Sequence, residues 1–106
     1  PPLKKIRPSD KVALYGAGEV GKSFFRFFQL ARPGQIVLWV DRQYEKLQKE
    51  GLLVQDVERL TSAELDKILI AVKFRNNAEG IASSLLQMGI QPEKIIWEQP
   101  DTLIDA

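Results

Sequence analysis

One stretch limits what this chain can become: Val12-Ala13-Leu14-Tyr15-Gly16-Ala17-Gly18-Glu19-Val20-Gly21-Lys22. A short apolar run ends in Gly-x-Gly-x-x-Gly and passes directly into a segment with helical periodicity. The pattern predicts a strand, a tight turn and a helix N-terminus, the arrangement a dinucleotide pyrophosphate needs. Gly16 allows the sharp turn, Gly18 lets the backbone approach a phosphate, and Gly21 lets the helix lie close on the sheet. Ala17, Glu19 and Val20 complete the turn and the first helical residues, whose backbone N–H groups and dipole favour an anion. Glu19 suits the dipole, yet it would repel a pyrophosphate if its side chain turned inward.

A second apolar run, Ile36-Val37-Leu38-Trp39-Val40, ends in Asp41, 20 residues beyond Gly21. An acidic side chain there would accept both hydroxyls of an adenosine ribose and repel a 2′-phosphate, which favours NAD over NADP. The adjacent Arg42 pulls the other way, since a basic residue after this strand accommodates a 2′-phosphate.

The chain's 106 residues suffice for one small domain. With 15 basic and 14 acidic residues it lacks the basic excess of a nucleic-acid module. It has neither cysteine nor histidine, which excludes disulfides, the usual zinc sites and histidine general bases. No metal site is expected. No apolar run approaches the roughly 20 residues of a membrane span, and nothing at the N-terminus resembles a signal peptide. A cytoplasmic setting is expected, without membrane insertion or nucleic-acid binding. The Pro1-Pro2 opening suggests a piece of a longer protein.

Residues 1–10, with three prolines and several charges, read as a linker or terminal extension. Residues 11–98 read as the domain and 99–106 as a tail. Strands are expected over 11–15, 35–40, 52–54, 68–72 and 94–97, with helices over 19–31, 44–50 and 77–88. The run over 35–40 is apolar after its first residue, as in a strand covered on both faces. Residues 57–65 contain Thr61 and Glu64 at capping-box spacing. Gly89 is placed to cap the last helix. In the first helix Gly21, Phe24, Phe25 and Phe28 share one face, while Phe27 and Leu30 fall off it. That surplus fits either a wide buried face or a docking surface for another domain or a second copy of the chain.

Alternating strands and helices with right-handed crossovers give an α/β fold: a Rossmann-like doubly wound parallel sheet of about five strands, order 3-2-1-4-5. Ligands bind such sheets at the carboxyl ends of the strands, where the order reverses. The Gly16–Gly18 turn is expected there together with Val72 and the Lys73-Phe74-Arg75-Asn76 loop, where Lys73 and Arg75 either meet a phosphate or sugar acid or stand as ordinary solvated loop charges.

Several segments together resemble Rossmann modules of bacterial surface-polysaccharide biosynthesis. They are the glycine turn, Trp39-Val40-Asp41-Arg42, Val54-Gln55-Asp56-Val57-Glu58-Arg59-Leu60, Ile68-Leu69-Ile70-Ala71-Val72 and Gly89-Ile90-Gln91-Pro92-Glu93-Lys94-Ile95-Ile96-Trp97. Similar modules stand at the front of nucleotide-sugar dehydratases and epimerases and accompany sugar-modifying transferases. The resemblance implies cofactor binding by Gly16, Ala17, Gly18, Glu19, Val20 and Gly21, with Asp41 at the ribose. It implies NAD as the ligand, and the remaining domain of the same chain or a second subunit, including a homodimer, as the partner.

The related short-chain enzymes work with a tyrosine four residues before a lysine. Here Tyr15 and Tyr44 are followed at that spacing by Glu19 and Gln48, so no catalytic residue is assigned. The expectation is a dinucleotide-binding domain of a nucleotide-sugar oxidoreductase, dehydratase or epimerase whose chemistry lies elsewhere. Two alternatives stay open: a nucleotide-sensing regulatory domain of the potassium-transport type, and a ligand-free accessory scaffold of a sugar transferase.

Overall fold

A computed structural model describes residues 2–100; Pro1 and residues 101–106 of the expected tail lie outside them. The fold is α/β and Rossmann-like in general kind. Its strands are β1 (Val12–Tyr15), β2 (Ile36–Val40), β3 (Lys67–Ile70) and β4 (Ile95–Ile96), and its α-helices are α1 (Glu19–Ala31), α2 (Tyr44–Lys49) and α3 (Arg75–Gln87). All strand pairs are parallel, in the order β2-β1-β3-β4. Tyr15 stands opposite Val40 on one side and Ile70 on the other, so β1 is the centre of the sheet.

Every residue of β1 is buried, and its side chains alternate between two cores, as the period of a strand requires. Val12 and Leu14 join Phe24 and Phe28 of α1, Leu47 of α2, Trp39, Leu69 and Ile96. Ala13 and Tyr15 join Val40, Ile68, Ile70, Leu60 and the α3 residues Ala78 and Leu85. Helices therefore cover both faces of the sheet. Phe25 stacks on Trp39, with ring centroids 4.3 Å apart, and Phe27 meets Phe28 edge-on. The surplus aromatics of α1 are thus largely spent on the core, while Leu30 is exposed.

The strand count and order differ from the expected five and 3-2-1-4-5. Residues 52–54 do not form a strand, and only Gln55 bridges to Val40. The turn that ends α2 sets the path of this segment. Gly51 ends α2 at φ 93°, its N–H donates to the Gln48 carbonyl, and the Leu52 N–H donates to the Leu47 carbonyl. This is the helix-end pattern that a left-handed glycine makes. The Val54 carbonyl accepts from the Gln48 side chain at 2.8 Å, so this segment is still bound to α2 where a longer strand would begin, and Leu53 stays exposed instead of pairing with β2. As a result β2 is open along its first half, and Val37 is exposed rather than covered.

Other bounds shift for similar reasons. Residues 57–61 form a 3-10 helix capped by Asp56, whose carboxylate accepts the Glu58 N–H. Thr61 ends that helix and donates to the Glu58 carbonyl, while Glu64 pairs with Lys11 at 3.1 Å, so no capping box forms. Gly89 does cap α3, with the Ile90 N–H on the Leu85 carbonyl. Within the stretch expected as a linker, Ile6 is 2 % exposed and belongs to the α1-side core. Gln35 donates to the Arg7 carbonyl at 2.7 Å, and Lys5 pairs with Glu98 at 3.1 Å. Among the described residues, no helix is long and apolar enough to cross a membrane.

Candidate functional site

The carboxyl ends of β1, β2 and β3 open into a cleft of about 950 Å³, within the usual size of small-molecule sites. Three segments wall it: the glycine turn with Lys22, the β2–α2 junction from Asp41 to Glu50, and one face of α3.

The turn is built by close backbone contact. Gly16 takes φ 116°, and a Cβ there would stand 2.8 Å from the Ala71 carbonyl oxygen. A Cβ on Gly21 would overlap the Gly16 carbonyl itself. That carbonyl accepts a hydrogen bond from the buried Trp39 indole at 2.7 Å, while the Gly16 N–H donates to the Val40 carbonyl at 2.8 Å. Sheet and helix packing therefore account for Gly16 and Gly21 without any ligand.

Gly18 is different. Its backbone is extended, with φ −80° and ψ −157°, and a Cβ would meet nothing within 4 Å. Neither strain nor crowding asks for glycine there. It lies exposed on the cleft wall at the N-cap of α1, with no side chain capping the helix.

Asp41 sits across from the turn, and both of its carboxylate oxygens are engaged. Oδ2 accepts the Ala17 N–H at 2.8 Å and Oδ1 accepts the Gln43 N–H at 2.7 Å. Its first structural task is to tie the glycine turn to the start of α2. A carboxylate retains acceptor capacity beyond one bond per oxygen, so ribose hydroxyls can still be accommodated. Arg42 reaches across to α3 and donates to the Ser84 hydroxyl at 3.3 Å.

Of the expected site residues, Gly16, Ala17, Gly18, Asp41, Arg42 and Val72 line the cleft together. Glu19 is exposed outside it, Val20 packs against the core, and Gly21 is buried under the turn. Lys73 also stays outside, with its ammonium 5.7 Å from the Phe74 ring. Arg75 lies over the Trp97 ring at 5.3 Å, and the Trp97 indole donates to the Val72 carbonyl at 2.9 Å. Residues 73–75, between β3 and the first turn of α3, are not part of the cleft wall.

Sequence reasoning missed Lys22 and Lys46, which with Arg42 set three cations against Asp41 and Glu50 in the walls. It also missed the α3 wall beyond Asn76: Asn77, Gly80, Ile81 and Ser84. Gly80, isolated inside a helical pattern, was the available signal.

Tyr44 heads α2, and the carboxylates of Asp56 and then Glu45 hold its phenol above the ordinary tyrosine value. That is the opposite of what a tyrosine base needs near neutral pH. No family model, curated protein or solved structure matches the chain.

Proposed function

We propose that this chain is a nucleotide-binding domain of the dinucleotide type, preferring NAD to NADP. It would serve a larger protein of nucleotide-sugar or surface-polysaccharide biosynthesis and leave the chemistry to another domain or subunit. The observation that carries this is Gly18: an exposed glycine with room for a Cβ, at the N-cap of a 13-residue helix and in the wall of the cleft. Close approach of a phosphate to the backbone gives glycine a use there beyond its preference at a helix N-cap. The three cations in the walls favour the same anionic ligand.

Calorimetric titration with NAD, NADP and a UDP-sugar, repeated with Gly18→Val, tests it. NAD should bind, NADP more weakly, and the substituted protein should stay folded and bind neither. A second reading, a scaffold without ligand, is favoured by the Asp41 bond that already satisfies the Ala17 N–H. Absence of heat with every nucleotide from a folded sample would establish that reading instead.

A further inference from the structure

Lys22 borders a second hollow besides the cleft, a groove of about 330 Å³ between α1 and the segment that follows α2. Phe25 and Trp39, stacked on each other, form one part of its lining, and Leu52 and Leu53 form another. Leu53 is 83 % exposed. Its place is imposed by its neighbours. The Leu52 N–H is held by the Leu47 carbonyl, and Val54 is buried with its carbonyl on the Gln48 amide. A single exposed leucine is ordinary, but this one extends a continuous apolar wall.

Charge marks the same groove. Lys22 and Arg26 stand four residues apart on α1, a spacing at which like charges repel. No acidic side chain lines the groove. Among the described residues the ion pairs are Lys5–Glu98 and Lys11–Glu64, so neither of these cations is neutralised in one. Aliphatic side chains next to carboxylates would complement both features at once. A polypeptide segment covers the exposed Leu53 rim as well as the aromatic lining, which a small acid would leave in water.

The geometry points to a docking site for a segment of a partner protein in which aliphatic side chains are flanked by carboxylates. The aliphatic groups pack on Phe25, Leu52 and Leu53, and the carboxylates meet Lys22 and Arg26. The inference stands apart from the nucleotide reading, because Phe25, Arg26, Leu52 and Leu53 are not cleft residues.

The test is a titration of the isotope-labelled chain with short peptides, followed by its amide and indole NMR signals. Acetyl-Glu-Leu-Leu-Glu-amide should move Gly51, Leu52, Leu53 and the Trp39 indole and reach saturation. Acetyl-Lys-Leu-Leu-Lys-amide should bind about tenfold more weakly, the scale of two exposed ion pairs and their reversal. Acetyl-Glu-Ser-Ser-Glu-amide should also lose about tenfold, because the apolar burial is gone. Arg26 and Leu53 are exposed, so Arg26→Glu and Leu53→Ser should keep the natural melting temperature. Arg26→Glu should erase the preference for the acidic peptide, and Leu53→Ser should weaken that peptide about threefold or more. Equal binding of the acidic and basic peptides, shifts confined to the cleft, or no saturable shift overturns the inference. Groove signals that move when the chain alone is diluted would put a second copy on this face and overturn the assignment to a partner.

Discussion

The Asp41 carboxylate accepts the backbone N–H of Ala17 at 2.8 Å, across a sequence separation of 24 residues. Together with the Gln43 bond, it locks the first turn of the sheet to the second. Hydrogen bonds to a charged group are worth about 1.5–3 kcal/mol each when well shielded, and Asp41 is only partly buried. Asp41→Ala should therefore destabilise the domain by about 1–3 kcal/mol in urea unfolding, with Asp41→Asn costing less because one acceptor survives. A loss under about 0.5 kcal/mol, the range of an ordinary surface change, would mean that the turn holds without this tie.

The glycines of the turn should separate cleanly by substitution. Gly21→Ala drives a methyl into the Gly16 carbonyl, a backbone clash that no side-chain rotation relieves. It should cost about 3 kcal/mol or more or prevent folding outright. Gly18→Ala meets open space but leaves a poorer N-cap, and should cost no more than about 1 kcal/mol. Thermal unfolding of the two variants side by side checks the contrast, and equal losses would contradict it.

Ile6 gives a third expectation. Its side chain is 2 % exposed and lies in the same core as Phe24, Phe28 and Trp39. Truncating a buried isoleucine costs about 2–5 kcal/mol. Ile6→Ala should accordingly lower the urea midpoint clearly, whereas a residue in a solvated linker would leave it unchanged.

What was legible in the sequence was what depends on short-range order. The glycine turn and the Phe24–Phe28 spacing define β1, α1 and their contact, because turn conformation and helical period are local properties. The failed strand at 52–54 was not legible. Leu52, Leu53 and Val54 have strand-like apolar character, but the helix-end bond of Leu52 and the Gln48 amide hold this segment to α2. The α3 wall was hidden for a different reason. Asn76, Asn77, Gly80 and Ser84 look like the solvated side of a helix, and only the placement of α3 beside the glycine turn makes them a surface of the cleft. For Lys73 and Arg75 the sequence left two readings open, since charge near a strand end fits a phosphate or plain solvent; their side chains lie over Phe74 and Trp97.

The two tryptophans of the chain are each bonded through the indole N–H to a carbonyl of a cleft residue, Trp39 to Gly16 and Trp97 to Val72. Indole emission shifts with hydrogen bonding at that nitrogen and with the polarity around the ring. Trp39 reads the turn from beneath and Trp97 reads the β3 end from the side. The protein thus carries a pair of built-in optical probes on its own crevice, and single replacement of either by phenylalanine would assign a ligand-induced colour change to one wall or the other.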